Sequence, residues 1–149
     1  MTAIEVANRC FQKALEIEVD GEGQARISGQ LPAGDSRGVV YVAIRADGRA
    51  LKVGMTRGRL LTHWNGIIDT INGKRTRKHE VQARGWWMDA VRGASFEVWC
   101  KIPSALIVGV ENEAPVTLHS YHVEERYWAA VFKPLIGMKL SSRPKQRHA

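Results

Sequence analysis

Between residues 38 and 71 the spacing of apolar positions changes its period. Val39 to Ile44 is an apolar run rich in β-branched residues, Ala46-Asp47-Gly48 interrupts it, and a second apolar stretch follows over 50–55. Two such runs around an Asp-Gly turn predict an antiparallel hairpin with strands over 39–45 and 50–55. From about residue 58 to 71 the period becomes helical, with Leu60, Trp64, Ile67, Ile68 and Ile71 on one stripe. Pairing across the turn sets Tyr41 opposite the 52–54 region, where Gly54 marks a close approach by another group. Arg59 and His63, four residues apart, fall on one side of the helix near its N-terminus, where backbone amides suit an anion.

The flanking segments are less regular. Ile4, Ala7, Phe11, Ala14 and Leu15 predict a helix over 2–18, opened by a Thr2/Glu5 capping box and broken at Asp20-Gly-Glu-Gly23. A short strand over 25–28 and a loop over 31–36 follow, so residues 1–36 read as an N-terminal helical extension. Beyond the hairpin and its helix, 72–79 is a dense basic loop, and 80–91 is a helix carrying Trp86 and Trp87. One of those two tryptophans must point away from the buried stripe. Residues 96–102 read as a third strand closed by Pro103, and 105–110 as strand or helix. A helix over 119–132 places Val123, Tyr127, Ala130 and Val131 on one stripe with Glu125 off its edge; Pro134 ends it. The expected fold is α/β (α+β): a small central three-stranded antiparallel sheet flanked by helices, in a domain over 37–140. Residues 141–149 form a basic tail expected to be flexible.

Charge narrows the class of partner. With 22 Lys+Arg against 15 Asp+Glu the chain carries +7 and a pI near 9.8, which favours polyanions, nucleic acid ahead of anionic membrane. Lys74, Arg75, Arg77 and Lys78 are the candidates for phosphate-backbone contacts; a solvated loop is the competing reading. No apolar run reaches membrane-span length, and the N-terminus lacks a signal-peptide pattern, so a cytoplasmic location is expected. Cys10 and Cys100 are isolated, which excludes a cysteine zinc motif and argues against a disulfide framework.

Tyr41, Lys52, Arg59 and His63 bring a phenol, an amine, a guanidinium and an imidazole to one neighbourhood, a kit for attacking a phosphodiester that lacks only a carboxylate for a metal. The motifs Val39-Val40-Tyr41, Lys52-Val53-Gly54 eleven residues on, Arg59-Leu-Leu-Thr-His63 and Glu125-Arg-Tyr-Trp128 resemble those of the GIY-YIG nuclease superfamily, over about Gly38 to Gly137. The chain departs from the family pattern at Val39, which replaces a glycine, and at Lys52, which replaces a tyrosine. A shortened step from Lys52 to Arg59 makes Arg57 a second candidate for the arginine role, and Leu135-Ile136-Gly137 stands where the family has an asparagine.

The resemblance implies a metal-dependent DNA endonuclease. In that reading Glu125 ligates Mg²⁺ or Mn²⁺, Tyr41 is the general base with its pKa lowered by Lys52, and Arg59 clamps a phosphate oxygen. His63 orients the water, relays a proton or binds phosphate. The implied partner is double-stranded DNA, with a homodimer as one way to cut both strands. The departures keep a second reading open, a nucleic-acid-binding protein that retains the fold without catalysis.

Overall fold

The structure, a computed structural model, describes residues 1–109 and 111–137; the basic tail expected over 141–149 lies outside them. Helix α1 (Ala3–Cys10) opens with the expected capping box: Thr2 Oγ1 accepts the Glu5 amide at 3.2 Å and Glu5 Oε2 accepts the Thr2 amide at 3.3 Å. It stops at Cys10 rather than running to 18, because residues 12–19 form strand β1 (Gln12–Val19). Leu15, Ile17 and Val19 point inward while Glu16 and Glu18 point out, a period of two. Ala14 and Leu15 also fit helical spacing, so the short apolar run satisfied both templates.

Strand β2 (Ala25–Gln30) folds back on β1, and a 3-10 turn (Pro32–Asp35) leads to the main hairpin. That hairpin is β3 (Arg37–Arg45) and β4 (Ala50–Arg59), each longer than expected, with Gly48 in the left-handed region at φ 90°. Helix α2 (Leu60–Ile71) follows directly, then α3 (Lys78–Val91) and strand β5 (Phe96–Lys101). A small two-stranded ribbon, β6 (Ala105–Val108) with β7 (Val116–His119), precedes helix α4 (Tyr121–Phe132). The ambiguous stretch after Pro103 is thus a strand, and His119 belongs to its partner rather than to the helix.

The sheet order is β2-β1-β5-β3-β4, with every pairing antiparallel. The mixed α/β architecture stands as expected, but the sheet has five strands rather than three, since the N-terminal segment supplies β1 and β2. Strand β3 is inside the sheet and covered on both faces, which is why Val39 to Ile44 are all buried without alternation. One face packs Val39, Tyr41 and Ala43 against Trp64 of α2 and Trp87 of α3; the other packs Val40, Val42 and Ile44 against Phe11, Trp128 and Phe132. Phe11 meets Trp128 edge to face at 4.9 Å.

Helix α4 sits on the sheet by a face different from its apolar stripe. Val123, Tyr127 and Val131 are exposed, while Glu124, Trp128 and Phe132 are buried. Glu124 explains the rotation: its carboxylate accepts hydrogen bonds from Lys101 Nζ, from the Ser104 amide and from Trp128 Nε1 at 3.1 Å. Burial pushes this carboxyl up, but Lys101, the Ser104 amide and the Trp128 indole outweigh it and hold the pKa below 4.5. Stability from this group is therefore complete above pH 4.5 and disappears as pH falls through the lower folded value. Glu124→Gln should lower Tm by roughly 5 °C at neutral pH, and thermal melts over a pH series should show that gap closing in acid.

Candidate active site

The hairpin register builds the centre of the site. Tyr41 on β3 pairs directly with Gly54 on β4, and Ala43 pairs with Lys52, so Tyr41 and Lys52 lie on one face of the sheet. The Tyr41 ring crosses over Gly54: a Cβ there would collide with the hydroxyl and lie 2.5 Å from Cζ. Glycine is needed at 54 for this close approach, as the sequence indicated. Trp64 closes the other side of the ring, edge to face at 5.3 Å, leaving Tyr41 only 1% exposed. His63, in the first turn of α2, sets Nε2 3.0 Å from the Tyr41 hydroxyl.

The electrostatics link these groups to α4. Burial lowers the pKa of Lys52, and the Glu125 charge works against that shift. Burial, then the Lys52 charge, hold His63 below 6.5, so its imidazole is neutral at physiological pH. Burial raises the carboxyl of Glu125, opposed by His122, Lys52 and Arg126. Tyr41 departs from the expected direction: burial, then the Glu125 charge, push its phenol well above 10.0. The Lys52 ammonium does not acidify it, because desolvation of a fully enclosed phenol dominates. Tyr41, Lys52, His63 and Glu125 thus share one electrostatic neighbourhood. His122 was not anticipated, although its three-residue step to Glu125 on one helix face was the available signal.

The two candidate arginines differ in their company. Arg59 is the last residue of β4 and caps α2 without a side-chain cap bond, so it precedes the helix rather than lying on it. Its guanidinium is held by Asp35, with Nε 3.0 Å from Oδ1 and Nη2 on the same oxygen. Arg57 is exposed, 5.6 Å over the Tyr121 ring. The Asp35 partner was invisible from sequence, where nothing ties residue 35 to 59.

The basic run lies elsewhere. It follows the C-terminal end of α2, about 14 Å along the helix axis from His63 at 1.5 Å per residue. Lys74 faces Asp69 at 4.0 Å, while Arg75 and Arg77 both face Glu80, at 3.5 and 4.0 Å. Lys78 opens α3 and is exposed. Among the described residues no group of three or more His, Cys, Asp or Glu could hold a metal. A metal here would therefore rest on the single Glu125 carboxylate.

An antiparallel sheet with helices on both faces, carrying this cluster on one of them, is a fold shared with solved endonuclease structures. The structure is similar to that of a point mutant of bacteriophage T4 EndoII, with a TM-score of 0.63 and 18% identity over 92% of this chain and 99% of that one. It is also similar to the restriction endonuclease Hpy188I in complex with product DNA, with a TM-score of 0.51 and 12% identity over 97% and 84% of the two chains. No protein-family profile and no curated protein sequence matches.

The site makes two stability predictions. Gly54→Ala should displace the Tyr41 ring and destabilise the fold by about 1–3 kcal/mol, measured by urea unfolding. Glu125 behaves in the opposite sense to Glu124. Its raised pKa means that the ionised carboxylate opposes folding above pH 4.5 and is neutral in effect below it. Glu125→Gln should therefore raise Tm by roughly 2 °C at pH 7, with the gain fading in acid.

Proposed function

We propose that this chain is a DNA endonuclease of the GIY-YIG type that hydrolyses phosphodiester bonds in double-stranded DNA. The observation that carries this reading is the part-buried 3.0 Å hydrogen bond between the Tyr41 hydroxyl and His63 Nε2, in the neighbourhood of Lys52 and Glu125. An endonuclease fold supports it, as does the likeness to a restriction enzyme in complex with product DNA.

The shifted pKa values define how Tyr41 acts. A phenol raised above its ordinary range does not rest as phenolate at neutral pH. It removes a proton from water only by handing its own to an acceptor, and the neutral His63 imidazole, in the tautomer protonated on Nδ1, offers Nε2 as that acceptor. Of the three roles open to His63, proton relay fits best. Lys52 sets a positive charge beside the reacting phosphate. Arg59 is assigned the phosphate clamp: its exposed pair with Asp35 is worth about 0–1 kcal/mol, so a phosphate can compete for the guanidinium. Arg57, stacked on Tyr121, flanks it.

The donor set fits a Mg²⁺ or Mn²⁺ ion held by Glu125 alone. A hard cation of this kind accepts one carboxylate and fills its other positions with water and substrate oxygens. Bound there, it would supply charge stabilisation at the scissile phosphate. Lys74, Arg75, Arg77 and Lys78, remote from the chemistry, are assigned to the phosphate backbone of flanking DNA. One such site cuts one strand, so complete duplex cleavage requires a homodimer or a second encounter.

Supercoiled plasmid with Mg²⁺ or Mn²⁺ tests the proposal. The wild-type protein should nick it, Tyr41→Phe and Glu125→Gln should each lose about 10²–10⁴-fold in rate, and Arg59→Ala should lose more than Arg57→Ala. Absence of metal-dependent nicking by the wild type, together with retained DNA binding, would establish the non-catalytic reading instead.

A further inference from the structure

A second concave site lies at the other end of β4. A cleft of about 360 Å³ opens between the β3–β4 turn, the C-terminal half of α3 and the segment after α4. Trp86, Ala90, Leu135 and Ile136 give it apolar walls. Arg45, Arg49, Arg92 and Asp89 supply its polar lining. None of these residues belongs to the hydrolytic cluster.

The three arginines are not equivalent. Arg45 is committed to the fold: Nε and Nη2 donate to Asp47 at 2.9 and 2.7 Å, and Nη1 donates to the Ala90 carbonyl at 2.5 Å. Arg49 and Arg92 are exposed and form no ion pair among the described residues. Trp86 is partly buried against the core and also lines the cleft. It is the member of the tryptophan pair that leaves the buried stripe; Trp87 stays in the core.

An apolar slot edged by two free guanidiniums fits a ligand with a flat apolar part and an anionic part. The volume is of small-molecule size and too narrow for a base pair with its backbone. A single nucleotide matches both features, its base against Trp86 and its phosphate at Arg49 and Arg92, with Asp89 able to accept from an exocyclic amine. The chain's own residues 138–149 do not match, since they carry Lys139, Arg143, Lys145 and Arg147 and no acidic residue.

The cleft is on the same side of the sheet as Tyr41. Trp87, next to Trp86, meets Trp64 at 5.7 Å, and Trp64 meets Tyr41. The Ile136 amide donates to the Leu51 carbonyl at 2.8 Å, so the segment lining the cleft is stitched to β4 immediately before Lys52. Arg49, in the turn just before β4, is about 10 Å of extended chain from Lys52 at 3.3 Å per residue. That is the span of no more than a few nucleotides of one strand.

We propose that this cleft receives one unpaired nucleotide of the DNA, within a few nucleotides of the phosphate being cut, and so directs the enzyme to locally melted or everted DNA. The proposal rests on the nuclease reading for the identity of the strand. Its chemistry, a nucleotide on Trp86, Arg49 and Arg92, is testable without cleavage.

Fluorescence anisotropy in EDTA compares binding to a fully paired duplex, the same duplex with a short unpaired bubble, and a bubble whose unpaired positions are abasic. Wild-type protein should bind the bubble about tenfold more tightly than the paired duplex, and the abasic bubble should lose that preference. Trp86→Leu should abolish the preference while retaining duplex affinity, whereas Arg49→Ala with Arg92→Ala should weaken binding to the bubble most. Equal affinity for paired and bubble DNA would overturn the proposal, as would an undiminished preference for the abasic bubble, which requires no protein variant. Binding of free dAMP as tight as that of the bubble would assign the cleft to a free nucleotide and overturn the strand assignment. Bubble preference without plasmid nicking would sink the nuclease reading alone; nicking without bubble preference would sink this proposal alone.

Discussion

Everything in the Tyr41–His63 cluster depends on one contact, the Tyr41 ring passing close over Gly54. Because the two residues are direct cross-strand partners, the register of β3 on β4 and the position of the phenol are the same fact. A slip by one residue would turn Tyr41 to the opposite face of the sheet, away from α2 and His63. The buried runs on both faces of β3 prevent that slip, since it would also exchange Val40 and Val42 with Val39 and Tyr41. Core packing and chemical alignment are thus enforced by the same residues.

Helix α4 shows how neighbouring side chains divide structure from chemistry. Glu124 is saturated by Lys101, the Ser104 amide and Trp128, and it fixes the helix on the sheet. Glu125, one residue on, is half-buried, so that its charge is disfavoured, and its field reaches Lys52 and Tyr41. The first is ionised because its partners favour it. The second is held ionised only by weaker cationic neighbours, which leaves it ready to gain from a cation.

How much of this could be read from the chain follows from what is local. The hairpin, the helix after it and the meeting of Tyr41 with His63 were legible, because a turn signal and two periodicities fix positions within about 25 residues of each other. The N-terminal strand was not, since Ala14 and Leu15 satisfy helical and extended patterns equally. The outward apolar stripe of α4 was misleading because the buried face is chosen by Glu124, whose partners Lys101 and Ser104 lie on another element. The Asp35–Arg59 pair and the upward shift of Tyr41 are likewise products of tertiary placement. Periodicity marks a buried face, as on α2, but not how completely one polar group on that face is enclosed.

The strand order carries a consequence for synthesis of the chain. Strand β5 lies between β1 and β3, so the N-terminal hairpin has no docking edge until residues 96–101 have been made. The β3–β4 hairpin and α2, by contrast, need only local contacts and can assemble early. On a ribosome, Tyr41 and His63 can meet while α4 is still unmade, and Glu125 joins them only once that helix has been made. The cluster is therefore assembled in two stages, with the tyrosine–histidine pair in place before the carboxylate that shares its field.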